Sequence, residues 1–109
     1  MNYIATYTLG QPVIVKRTSG DFEVWKVEAV VEDHDGETRF MVTKPHERIT
    51  NAMYYKHPTA EDLMKWEEEL RGDMRENKFI ALMEDGETQD NAHDAADDYA
   101  DNAIAEMLA

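Results

Sequence analysis

Carboxylates are the side chains in this sequence whose number and spacing could support binding or chemistry. Residues 84–109 contain nine Asp or Glu and no Lys or Arg. Five aspartates recur at i, i+3 and i+4 spacing, which places them on one face of a helix. We call these five the acidic band: Asp90, Asp94, Asp97, Asp98 and Asp101. Asp85 and Glu87 precede the band and complete a set of seven candidate partner-binding residues.

Other side chains give little support for catalysis. The chain has no cysteine, which excludes cysteine nucleophiles and thiolate metal sites. Ser19 is the only serine and lies in a predicted turn. The four histidines match no metal-ligand spacing, and they are His34, His46, His57 and His93. We therefore expect a protein that is not an enzyme and needs no metal or cofactor. A small metal-dependent hydrolase that uses the carboxylate clusters is the less favoured alternative.

The net charge of −13 is distributed very unevenly. It is −1 over residues 1–58, −3 over 59–83 and −9 over 84–109. Phosphate contacts need Lys and Arg, so this distribution argues against direct binding of nucleic acid or anionic lipid. It favours a basic protein partner, or simply high solubility. Neither a signal-peptide pattern nor an apolar run of membrane-spanning length is present, so we expect a cytoplasmic protein.

The first half of the sequence predicts β-strands. Gly36, after Asp35, is a strong hairpin signal, because glycine tolerates the positive φ of a tight turn. Residues 46–57 fit either a further strand or an ordered loop. The predicted strands are 3–9, 13–17, 22–31 and 38–43.

The second half predicts helices. Thr59 and Asp62 have the spacing of a capping box, and Gly72 is a candidate C-cap, although the helix could reach Glu76. The apolar run 78–83 predicts a short strand. The acidic helix follows, with Thr88 or Asp90 as its N-cap.

These elements predict one α+β domain over residues 1–109, strand-rich in 1–57 and helix–strand–helix in 58–109. Its order would be β-β-β-β-(β)-α-β-α, an antiparallel sheet of four to six strands with two helices. A small SH3-like barrel with added helices is the alternative.

The acidic band has two interpretations. It can be a solvated helix face, or it can imitate phosphate. Five charges over about 16 Å of helix give about one per 4 Å, and one strand of B-DNA advances about 3.4 Å per phosphate. Five like-charged pairs along the band would cost about 1–2.5 kcal/mol in total.

Residues 90–103 resemble the helices of small phage-encoded DNA-mimic inhibitors, the class of antirestriction and some anti-CRISPR proteins. The resemblance covers the final quarter of the chain and is one of composition. It implies a protein that inhibits a nucleic-acid-binding enzyme or complex by placing the acidic helix on its basic DNA- or RNA-binding surface. The alternative from another class is a regulatory or antitoxin-type module that sequesters a basic protein.

Overall fold

The computed structural model describes residues 7–44 and 55–109. It is an α+β structure with an antiparallel sheet and two helices, which confirms the predicted class. The predictions for residues 3–6 and 46–54 lie outside the described residues. The elements are β1 (Pro12–Lys16), β2 (Phe22–Glu32), β3 (Thr38–Thr43), the two-residue β4 (Tyr55–Lys56), α1 (Ala60–Glu84) and α2 (Gln89–Met107).

The predicted hairpin is confirmed by the antiparallel pairing of β2 with β3. Gly36 adopts a φ of 80° in the turn. Asp33 orders the same turn, because its Oδ1 accepts hydrogen bonds from the backbone N–H groups of Asp35 and Glu37. Its Oδ2 accepts a bond from Nε of Arg39 at 3.0 Å. The Arg39 bond, with the Glu37 and Asp35 backbone bonds, outweighs burial and lowers the pKa of Asp33.

The strands follow one another in the order β1-β2-β3-β4 and form a curled sheet. Neighbouring strands lie about 4.8 Å apart, so a flat sheet would separate β1 from β4 by about 14 Å. Nζ of Lys56 on β4 nevertheless donates to the carbonyl oxygen of Lys16 on β1 at 3.2 Å. The curl encloses a core of buried residues: Val13, Val15, Trp25, Val27, Phe40, Val42, Ala60 and Leu63.

Helix α1 begins at the predicted capping box. The backbone N–H of Asp62 donates to Oγ1 of Thr59, and the N–H of Thr59 donates to Oδ2 of Asp62. These reciprocal bonds satisfy two N–H groups that a helix start would otherwise leave free. Leu63, one turn into the helix, is buried in the core.

The predicted strand at 78–83 is wrong, and so is Gly72 as the C-cap. Both lie inside α1, which continues to Glu84. Gly86, two residues after the last residue of α1, terminates the helix, and its φ of 92° suits a glycine. The N–H of Gly86 donates to the carbonyl of Met83, and the N–H of Glu87 donates to the carbonyl of Leu82. This pair of bonds is the Schellman arrangement that closes a helix.

The chain divides into two compact units within α1. Residues Met1–Trp66 form the sheet unit, and Glu67–Ala109 form the helix unit. The sheet unit has eight basic and ten acidic residues, a net charge of −2. The helix unit has three basic and fourteen acidic residues, a net charge of −11. Nearly all of the excess charge therefore belongs to the helix unit. No helix among the described residues is long and apolar enough to cross a membrane.

Candidate partner-binding surface

The acidic helix forms as predicted. Thr88 is its N-cap, and its Oγ1 accepts a hydrogen bond from the backbone N–H of Asn91 at 3.3 Å. Asp90 lies in the first turn, where the helix dipole favours a negative charge. One stripe of the helix is buried, and every residue of the acidic band is exposed. The buried stripe consists of Ala92, Ala96, Ala100 and Ile104.

The two helices of the helix unit are bridged by ion pairs. Oδ1 of Asp101 lies 3.1 Å from Nε of Arg71. Oδ1 of Asp97 lies 3.6 Å from Nη1 of Arg75. These contacts partly compensate the like-charge repulsion along the acidic band. Helix α2 has no basic residue of its own, but α1 supplies two.

Arg71 is the centre of the larger ion-pair cluster. Its Nη1 donates to Glu68 at 2.7 Å, and its Nη2 donates to Glu67 at 3.3 Å. Its Nε–H makes no aligned hydrogen bond, so the contact with Asp101 is one of charge rather than of hydrogen bonding. Burial acts to lower the pKa of Arg71, but the bonds to Glu68 and Glu67 outweigh it and raise the pKa. The guanidinium therefore stays charged and holds Asp101 beside α1.

The rest of the band points to solvent without a basic partner. Asp90, Asp94 and Asp98 make no ion pair with any residue in ranges 7–44 and 55–109. They follow one another at four-residue intervals, which separates successive carboxylates by about 6 Å along the axis. Asp85 and Glu87 are also exposed, in the connection between the helices. The row of free carboxylates on α2 is thus sparser than the sequence indicates.

Two ring contacts also connect the helices. The rings of Phe79 and His93 are stacked, with centroids 4.3 Å apart and an angle of 22° between planes. Nζ of Lys78 lies 5.1 Å from the centroid of the Tyr99 ring. His93 is therefore an aromatic packing partner in the helix unit.

Ser19 and His34, two of the polar side chains considered in the sequence, lie in exposed turns. In the described part of the chain, no three His, Asp or Glu residues lie close enough to hold a metal ion. Oγ of Ser19 donates to the carboxylate of Asp21 in an exposed turn. His34 is almost fully exposed beside Asp35.

The basic residues that organise the surface, Arg71 and Arg75, were missed by sequence reasoning. Their signal is a matched spacing: they stand four apart on α1, and their partners Asp97 and Asp101 stand four apart on α2. Comparison with protein-family models, with curated proteins and with solved structures found no match to this chain.

Proposed function

We propose that this protein is a non-enzymatic binding protein that inhibits a nucleic-acid-binding enzyme or complex. In this proposal the acidic face of α2 occupies a basic surface that normally binds DNA or RNA, as in a phage anti-defence protein. The observation that carries the proposal is the exposed row of Asp90, Asp94 and Asp98, which has no basic partner in the described ranges. The row belongs to a unit with a net charge of −11.

The ion pairs support this role because they orient the band. Asp97 and Asp101 pair with the arginines of α1, whereas the outer carboxylates lie on the exposed face without such a partner in the described ranges. Rigid placement lowers the entropy lost when a charged surface binds its partner. Exposed charges also speed the encounter with a basic surface, and this effect weakens as salt is added.

The proposal is tested by capture and competition. The immobilised protein is incubated with a bacterial lysate, and the captured proteins are challenged with duplex DNA. We expect a nucleic-acid-binding protein that duplex DNA elutes and that salt weakens. The double variant Asp94→Asn/Asp98→Asn should capture much less of it. The control Glu84→Gln/Glu106→Gln loses the same charge from exposed residues outside the band and should capture as the parent does. A partner unaffected by the first variant would exclude the acidic band as the contact.

A second candidate is a regulatory or antitoxin-type module that sequesters a basic protein. Three exposed apolar side chains of the helix unit favour it, because Met and Tyr are enriched in protein interfaces. Ile80 is 48% exposed, Met83 42% and Tyr99 47%. DNA competition separates the two candidates, since a sequestered partner held through these side chains should resist elution by duplex DNA.

Treatment with a chelator distinguishes the hydrolase alternative from both binding functions. A binding protein that holds no metal should keep its melting temperature and its partner in EDTA. A large fall in melting temperature would show that a metal supports the fold, because metal binding and folding are coupled.

A further inference from the structure

A cleft in the helix unit combines features that the proposed function does not use. It has a volume of about 460 Å³, which is within the range of ligand sites. Five residues of α1 and one of α2 line it: Gly72, Asp73, Arg75, Glu76, Phe79 and His93. Phe79 and His93, whose rings stack on each other, form the aromatic part of the lining.

The lining of the cleft has two carboxylates and one guanidinium, so its charge is net negative. The side chains of Asp73 and Glu76 form no ion pair or hydrogen bond with any residue that the structure describes, and both residues are exposed. Arg75 is the cation in the lining, but its Nη1 lies 3.6 Å from Asp97 on α2. The two carboxylates are therefore available to a cation from outside.

Gly72 keeps the cleft open. It lies inside α1, where glycine is less favourable than alanine by about 1 kcal/mol or slightly less. Its φ is not positive, and a Cβ built there would meet no atom within 4 Å. Neither backbone conformation nor internal packing therefore requires a glycine at this position. A larger side chain would instead extend into the cleft.

We propose that this cleft is a pocket for an arginine side chain of the basic protein partner. The inference rests on the proposed function and specifies one contact of its interface. The guanidinium would stack on the outer face of the Phe79–His93 ring pair and form ion pairs with Asp73 and Glu76. Arginine fits this arrangement better than lysine, because its planar group stacks on rings and presents several N–H donors to carboxylates at once.

The test is an NMR titration of the ¹⁵N-labelled full chain with two blocked peptides, acetyl-Arg-Arg-Gly-amide and acetyl-Lys-Lys-Gly-amide. Both peptides have a charge of +2, so general electrostatic attraction acts equally on both. We expect the arginine peptide to bind about two- to fivefold more tightly, the size of effect that a cation–π contact at an exposed site produces. Its largest shifts should be at Gly72, Phe79 and His93.

Two variants locate the binding. Asp73→Asn/Glu76→Gln removes the carboxylates, and Gly72→Gln fills the cleft with a residue that favours helix. Both should reduce the affinity for the arginine peptide to that for the lysine peptide. The matched control Glu84→Gln/Glu106→Gln loses two exposed acids outside the cleft and should keep the preference.

Equal affinity for the two peptides, or shifts confined to Asp94 and Asp98, would overturn the arginine pocket. The pocket would also be overturned if the control Glu84→Gln/Glu106→Gln lost the preference for the arginine peptide as fully as the two cleft variants do. Shifts confined to Asp94 and Asp98 would place the bound cation on the acidic band instead, and the capture experiment tests the band as a contact surface separately. Conversely, a preference for arginine that survives failure of the capture experiment would establish the pocket without the proposed inhibitory function.

Discussion

Neutralising two different pairs of aspartates should have different effects on stability, although each change removes two charges from α2. One variant is Asp94→Asn/Asp98→Asn, which changes the outer aspartates. The other is Asp97→Asn/Asp101→Asn, which changes the aspartates held by Arg75 and Arg71. The sequence alone would predict that both variants gain stability.

The structure predicts that only the outer variant gains clearly. It removes four like-charged pairs at i, i+3 or i+4 spacing, worth about 0.8–2 kcal/mol at about 0.2–0.5 each. The inner variant removes three such pairs, a gain of about 0.6–1.5 kcal/mol. It also loses two surface ion pairs, which contribute about 0.2–1 kcal/mol each. Its net change is therefore near zero, about 1 kcal/mol less favourable than that of the outer variant.

Thermal unfolding followed by circular dichroism measures this difference. About 1 kcal/mol corresponds to a shift of roughly 4–8 °C in a domain of this size. The melts should be repeated in about 1 M salt, where the Debye length falls to about 3 Å and the difference should shrink. A double-mutant cycle with Arg75→Gln and Asp97→Asn isolates one ion pair, with an expected coupling of about 0.2–1 kcal/mol.

Equal stabilisation of the two variants at low salt would refute the reasoning. It would mean that Arg71 and Arg75 do not compensate the inner aspartates in solution. A coupling of zero in the cycle would lead to the same conclusion for the Arg75–Asp97 pair. The capture experiment would still test the outer aspartates as a contact surface.

Three further predictions follow from the same structure. The purified protein should not bind duplex DNA at physiological salt, because a chain of net charge −13 has little attraction for phosphate; a gel-shift assay checks this, and clear binding would contradict the proposed mimicry. Gly72→Ala should raise the free energy of unfolding by about 0.5–1 kcal/mol in urea, because alanine favours helix and its Cβ meets nothing; a loss of stability would show that the site is packed. The hydrogen bond from Arg39 lowers the pKa of Asp33 below its ordinary value of 3.8. The stability that ionised Asp33 contributes is therefore complete above pH 3.8 and is lost as the pH falls through the lowered pKa. In Asp33→Asn the free energy of unfolding should therefore fall less steeply at acidic pH than in the parent. The same pH dependence in both proteins would exclude this contribution of Asp33.

Local signals in the sequence were sufficient where a few neighbouring residues decide the structure. The capping box at Thr59 is closed by a residue three positions on, and the hairpin turn at Gly36 by the residues around it. Amphipathic spacing was sufficient for α2, because its buried alanines recur every four residues. Each of these features can be read from a window shorter than a dozen residues.

The failure at residues 78–83 has a physical cause. A short apolar run has no periodicity that distinguishes a strand from a buried helical segment. Gly72 is also a weak stop signal, because a glycine inside a long helix costs only about 1 kcal/mol and is tolerated. Asp85 and Gly86 carry a turn signal, and such a turn can follow either a strand or a helix. The α+β class survived this error because the sheet unit does not depend on it.

That one error also concealed the compensation of the acidic band. If α1 ends at Gly72, Arg75 lies outside the helix and Arg71 in its last turn, so neither is expected to face α2. Once α1 continues to Glu84, arginines four residues apart on one helix meet aspartates four residues apart on the other. The seven acidic candidates therefore differ in role. Asp97 and Asp101 bridge the helices. A basic partner can reach Asp90, Asp94 and Asp98 without displacing an arginine of α1.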